Sequence, residues 1–456
     1  MAIISKNMAS GSAGFQRPRN ARSMGIDTFQ AHIKLALLTA FGLLILSILA
    51  DSPYTAILVL DLLFCGYLVS IFKNKYRFLF FLHPVILAIS SQLYTMPFLL
   101  TGDGEAWVGV IGSYLDTRTF EFHGNELISN YGLFTFFKIA SLGIVPIYAV
   151  PEFFFQNPED AIYYLWQGTF HVFLSALVVT LAQSWRVLER KYLFSVALFT
   201  VIGPSFFDLG VAPTRHILTF FGVYLLFVTH IAVMQGFTLS RLLWYAIAVA
   251  VILISKMPLL IPYFIFVLID MFYIRPFKLK SRNVMLLGIF VLALALTWNT
   301  FFEVIVGYNE ISKAGAGFSG VSKLPIIGWI QKYIYALLSP FPWSKSYLHI
   351  EGIYSGNWFL FFMHTLSAMT GLYLFFVIFL KWRAILASDT QLKQLVAFAL
   401  IMSLSILKGT TGFHSYILIY FPMLVPLLTI KQFRINPMLP IGFIIFLEVI
   451  MLIMNF

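Results

Sequence analysis

Long apolar runs recur along the chain, separated by short polar stretches, and this alternation predicts a bundle of membrane-spanning helices. The runs fall at about Leu35 to Ala50, Tyr54 to Phe72, Phe78 to Leu100, Ala161 to Gln183, Tyr192 to Phe207, His216 to Met234, Leu242 to Ser255 and Leu259 to Tyr273, then Val284 to Phe302, Trp358 to Leu380, Leu395 to Leu407, Tyr416 to Ile430 and Met438 to Met454. A hydrocarbon core about 30 Å thick takes about 20 helical residues, so the pattern predicts roughly thirteen spans. The two runs that flank Lys256 and Pro258, and the run before Lys408, are short for such a core. Broken helices at membrane depth are tolerated where they border a cavity or other protein, so these places are expected to line something.

The polar stretches carry the topology. Residues 1–34 are polar and basic, with Lys6, Arg17, Arg19, Arg22 and Lys34, and predict a disordered tail ahead of a single integral membrane domain, 35–456. Basic clusters at Lys73/Lys75/Arg77, Arg186/Arg190/Lys191, Arg241, Arg275/Lys278/Lys280/Arg282, Lys381/Arg383/Lys393 and Lys431/Arg434 all fall on the side of this tail if the spans alternate. The positive-inside rule makes that side the cytoplasm and leaves the C-terminus outside. The scheme requires that Gly132 to Val150, which contains Lys138 and precedes an acidic stretch, does not cross but lies as a re-entrant or interfacial outer helix. Two long outer loops result, 101–160 and 303–357.

Composition supports this class and excludes others. Hydrophobic residues make up 60% of the chain and charged ones 11%, which leaves too little polar surface to cover a soluble globule. The net charge of +11 does not point to nucleic acid, because the basic residues are spread between apolar runs instead of forming a stripe with interleaved aromatics. Cys65, the single cysteine, lies inside an apolar run, so no disulfide framework, zinc knuckle or thiol motif is expected, and it reads as a small core residue.

Candidate chemistry is sought where charge meets the outer boundary. Asp103 and Glu105 alternate with Gly102 and Gly104 at the mouth of the third run, where the backbone can turn sharply. One carboxylate there can serve as a general base while its neighbour tunes it or binds a hydroxyl; a solvated helix terminus is the alternative. Arg215 and His216 close a short outer turn before another span, and the arginine fork suits phosphate oxygens, although a snorkelling arginine explains the position as well. Lys256 stands between two short apolar runs, and Lys408 and His414 repeat that pattern late in the chain. The glycine pattern Gly315 to Gly320 follows no strand of a βαβ unit and does not read as a dinucleotide site. No His, Cys or acid pair shows a metal-ligand spacing on one helix, so no cofactor is expected and a divalent metal has no support in the sequence without being ruled out by it.

The order of these features resembles the polytopic GT-C-type glycosyltransferases and the bacterial polysaccharide polymerases of the Wzy kind. The resemblance rests on Gly102-Asp103 at the outer end of an early span, Arg215 opening a middle span and Lys256-Met257-Pro258 between short helices. Pro340-Phe341-Pro342-Trp343 and Gly412-Phe413-His414, each before a late span, extend it. Lysine at 256 and histidine at 414 stand where those families have arginine, and neither offers a bidentate fork. The resemblance implies a GT-C-like helical fold and a transferase at the outer face of a bacterial inner membrane. It would act on a glycan carried by a polyprenyl (undecaprenyl) diphosphate in O-antigen, capsule or exopolysaccharide synthesis, alongside membrane lipid and other polysaccharide-assembly proteins. Asp103, with Glu105, is then the base that activates the acceptor hydroxyl, and Arg215, His216, Lys256, Lys408 and His414 bind the diphosphate. Broken helices with charges would equally suit a secondary transporter or a flippase of lipid-linked glycans, but no internal repeat is visible.

Overall fold

The computed structural model describes residues 21–94, 147, 150–156, 159–203, 216–256, 259–275, 358–404 and 420–455. Every element among them is helical, and among the described residues there is no strand. The long helices are α1 (Ala21–Ile48), α2 (Pro53–Ile71), α3 (Leu82–Tyr94), α4 (Asp160–Ser184), α5 (Arg190–Ile202), α6 (His216–Gln235), α7 (Leu239–Lys256), α8 (Leu260–Ile269), α9 (Trp358–Leu386), α10 (Thr390–Ser403) and α11 (Met438–Asn455). Six of these, α1, α2, α4, α6, α7 and α9, are long and apolar enough to cross a membrane.

Their outer surfaces fit lipid better than water. Leu37, Phe41 and Leu44 on α1 and Leu243 and Ile247 on α7 are exposed. Contiguous apolar faces of this kind are rare on soluble monomers, whereas hydrocarbon matches them at no cost. The chain is a multi-span helical membrane protein.

Most helix limits agree with the apolar runs, and two differ. The first helix starts at Ala21, not at Leu35, so the end of the expected tail is helical; Ala21, Arg22 and Met24 are good helix formers and extend the helix of the adjoining span. The run expected to span from Tyr416 to Ile430 is, over its described part, a series of short turns: Phe421–Met423 and Pro426–Thr429, followed by Lys431–Phe433. Pro422 and Pro426 each lack the amide proton a continuous helix requires. The expected interfacial helix at Gly132 to Val150 lies almost wholly outside the described residues.

The core is built around α4, which packs on α1, α2, α3, α5 and α6. Its apolar window is 83% buried, against 17% for that of α1, so α4 is a central helix and α1 a peripheral one. Tyr67 Oη and Thr180 Oγ1, 2.9 Å apart, join α2 to α4. Helices α6 and α7 form an antiparallel hairpin through Gly236–Thr238. Gly222 lets the two helices approach closely: a Cβ would lie 2.8 Å from Ile252 Cδ1 and 2.9 Å from Val251 Cγ1, so those side chains would have to shift.

Hydrogen bonds bring the basic loops together at one end of the bundle. Gln235 Nε2 donates to Arg186 O at 3.4 Å, Glu189 N to Gln391 Oε1 at 2.8 Å, and Tyr192 Oη to Asp389 Oδ2 at 2.5 Å. Phe72, just before Lys73, stacks edge-on with Phe194 of α5. The opposite end carries acids instead, with Tyr54 Oη donating to Glu159 Oε2 at 2.6 Å near the exposed Asp51. Among the described residues, Lys256 is the Lys or Arg that departs from this division.

Candidate functional site

Of the residues expected from the sequence to do chemistry, Asp103, Glu105, Arg215, Lys408 and His414 lie outside the described residues, as do the aromatics around Pro340 to Trp343. His216 and Lys256 are described, and the fold brings their backbone positions together. His216 opens α6 and Lys256 closes α7. With Gly222 set against Val251 and Ile252, a rise of 1.5 Å per residue puts His216 about 9 Å, and Lys256 about 6 Å, beyond that contact towards the same end. That is the end opposite the basic loops. The N-terminus of α6 adds the positive pole of its dipole, which favours an anion. Lys256 is half-buried at the negative pole of α7, a position that by itself suits a lysine.

The interior holds two polar clusters that the sequence reading passed over. One joins α6, α7, α8 and α10. His230 Nε2 meets Asp270 Oδ2 at 3.0 Å, and Gln394 Nε2 donates to Asp270 Oδ1 at 2.6 Å. Arg275 Nε lies 3.9 Å from the same Oδ1. On the other side of the ring, His230 Nδ1 is 3.2 Å from Tyr263 Oη, which reaches Tyr245 Oη at 2.8 Å. Asp270 is positioned by a widened turn, Asp270–Ile274, closed by a bond from Arg275 N to Asp270 O at 2.8 Å. Such wide turns inside helices often occur at functional positions.

A tyrosine hydroxyl has one proton to donate. When Tyr263 gives its proton to Tyr245, His230 Nδ1–H donates to Tyr263; when both hydroxyls reverse, Nδ1 accepts. The row Tyr245, Tyr263, His230, Asp270 therefore has two proton arrangements on one set of heavy atoms, and they interconvert when Asp270 in its protonated form gives a proton to Nε2, Nδ1 gives one to Tyr263, Tyr263 one to Tyr245 and Tyr245 one beyond the row. The same bonds lock four helices, and removing one partner of such a buried pair costs about 3–5 kcal/mol.

The second cluster joins α2 to α3. His83 Nδ1 lies 2.9 Å from Asp61 Oδ2, and Cys65 stands one helical turn after Asp61. All three are buried, and a ligand atom from each lies within 4.8 Å of the other two. Asp61 Oδ1 is buried with no hydrogen-bond partner. Close by, His171 Nε2 bonds the backbone oxygen of Thr200 at 2.9 Å. A cavity of about 40 Å³ adjoins it, lined by His171, Ser175, Thr200, Phe220 and Tyr224 among others.

A signal for both clusters was present in the sequence. Asp61 and Asp270 each lie inside an apolar run, and an ionisable residue within a span is by default a functional-site candidate. His83 and His230 lie inside such runs too, but the pairing gave no signal, because His83 lies 22 residues from Asp61, His230 lies 40 from Asp270 and Gln394 lies 124 from Asp270. A larger cleft of about 390 Å³ lies among Gln183, Arg186, Glu189, Arg190 and Gln391 at the basic end, away from Lys256 and His216.

No family model matches this chain, and no curated protein or solved structure is significantly similar to it.

Proposed function

We propose that this protein is a multi-pass glycosyltransferase of the polysaccharide-polymerase kind, GT-C-like in fold, with about thirteen spans and an interfacial outer helix. It sits in a bacterial inner membrane with its basic end and N-terminus in the cytoplasm and its C-terminus in the periplasm, as the positive-inside rule requires. Its substrate is an oligosaccharide on a polyprenyl diphosphate, supplied to surface polysaccharide synthesis with other assembly proteins.

In the reaction an acceptor sugar hydroxyl attacks the anomeric carbon, and the bond from that carbon to the diphosphate oxygen breaks. Asp103 takes the hydroxyl proton with Glu105 in support, and Arg215, His216 and Lys256 hold the departing diphosphate, with Lys408 and His414 completing the cationic surround. The observation that carries this reading is the α6–α7 hairpin. It places a helix N-terminus that follows an arginine beside a lysine that departs from the charge division of the bundle, at the end away from the basic loops.

The test is elongation in vitro by purified protein. A ladder of products from a polyprenyl-diphosphate oligosaccharide is expected, with loss of at least about 100-fold in rate for Asp103→Asn and Arg215→Ala. Unchanged surface-glycan length in cells carrying both variants at normal protein levels would overturn the assignment. A transporter or flippase of lipid-linked glycans is the second reading, and the proton row ending at Asp270 favours it. That reading is the one to take up if no product forms and lipid-linked glycan nevertheless crosses reconstituted vesicles.

A further inference from the structure

The α2–α3 cluster is a set of donors without a settled task. A buried aspartate, histidine and cysteine converge there from two helices, with their ligand atoms within 4.8 Å of one another. An Asp–His hydrogen bond accounts for one carboxylate oxygen and leaves the other, Oδ1, buried without a partner. Leaving a charged oxygen unmet in an apolar interior is costly, and a cation satisfies it. We propose that Asp61, Cys65 and His83 bind a divalent metal of the zinc type and thereby fasten α2 to α3 inside the membrane body.

The donor chemistry fits. Thiolate, imidazole and carboxylate are the usual zinc ligands, at about 2.3, 2.0 and 2.1 Å respectively, and tetrahedral geometry then separates nitrogen from oxygen by about 3.3 Å and sulfur from either by about 3.6 Å. The Nδ1 to Oδ2 distance of 2.9 Å has to open by only about 0.4 Å, within the freedom of a side-chain rotamer. The charge balances too: M²⁺ with one thiolate, one carboxylate and neutral imidazole is neutral, which suits burial in a low dielectric. Thiolate is the form of cysteine that binds metal, so binding at this site displaces the thiol proton. Cys65 and Asp61 belong to this site by spacing, because residues four apart share a helix face. His171 is not counted as a ligand, since its Nε2 is committed to Thr200.

Cys65 is the single cysteine of the chain, so any metal–thiolate signal reports this site alone. Full-length protein purified in detergent from zinc-supplemented cells is expected to carry about one zinc per chain. Replacing the zinc with cobalt is expected to give a thiolate-to-cobalt charge-transfer band in the near ultraviolet. In Cys65→Ser, Asp61→Asn and His83→Gln, zinc is expected to fall to background while the gel-filtration profile is kept. Alkylation of Cys65 by a maleimide is expected to speed up when a chelator strips the metal. Wild-type protein without zinc, without a cobalt–thiolate band, or with zinc content unchanged in Cys65→Ser overturns the proposal. The wild-type cobalt spectrum and the alkylation rate decide the matter even where a variant does not fold. None of these readings depends on transferase activity.

Discussion

Gly371 and Gly66 show how differently one residue type behaves in this interior. A Cβ on Gly371 would lie 2.5 Å from Cε2 and Cζ of Phe421, a ring that is itself buried. Nothing lies within 4 Å of the corresponding position on Gly66, in the middle of α2. Gly371→Ala is therefore expected to destabilise by about 1–3 kcal/mol through overpacking. Gly66→Ala is expected to raise stability, by up to about 1 kcal/mol, through helix propensity. Thermal unfolding in detergent, followed by the reactivity of the buried Cys65 thiol, measures both; a shift of the same sign in the two variants would count against this packing. In sequence the two glycines look alike, each inside a long apolar run. The same holds for Asp61 and Asp270: their presence in a span was legible, but not whether a histidine, glutamine or arginine stood opposite.

At the scale of elements, α10 owes its start to a feature of the basic end. Asp389 is its N-cap, with Oδ1 accepting from Leu392 N at 3.0 Å and Oδ2 from Tyr192 Oη at 2.5 Å. Partial burial alone would raise its pKa, but the Tyr192 hydroxyl, the Leu392 amide and the Lys191 ammonium together hold the carboxyl below its ordinary value. A carboxylate lowered on folding adds stability above its ordinary pKa, and that stability is lost as pH falls through the folded value. Asp389→Ala is expected to cost about 1 kcal/mol at neutral pH. The gap between the two proteins should narrow as pH is taken from neutral to below about 4, towards the lowered folded value at which Asp389 loses its charge. Thermal midpoints at the two pH values check this, and a gap independent of pH would rule it out. The apolar run read from the sequence begins only at Leu395, so the start of α10 at Thr390 was missed, because its first turn is mostly polar. The widened turn at Asp270 was missed as well, because the run Leu259 to Tyr273 gives no sign that one backbone bond skips a residue.

Across the whole molecule, the division of charge between the two ends makes a statement about sidedness that can be tested. Asp51 and Lys191 are both exposed, at opposite ends of the bundle, and Cys65 is buried. On intact cells an impermeant maleimide is expected to label Asp51→Cys and to spare Lys191→Cys until the membrane is opened; the reverse pattern would invert the proposed orientation. The sequence by itself determined the class of this protein. Apolar length and the spacing of basic clusters are local properties, and the free energy of placing a residue in hydrocarbon depends mainly on that residue. It therefore gave a helical membrane protein and most helix limits, and it marked His216 and Lys256 before their relation was known. Tertiary structure decided what lies beside what. It folded α6 against α7 so that those two positions share an end, put His83 on Asp61 and Gln394 on Asp270, and broke the run after Tyr420 into turns. Such pairings join residues far apart in the chain, and only the packing of whole helices fixes which side chains meet.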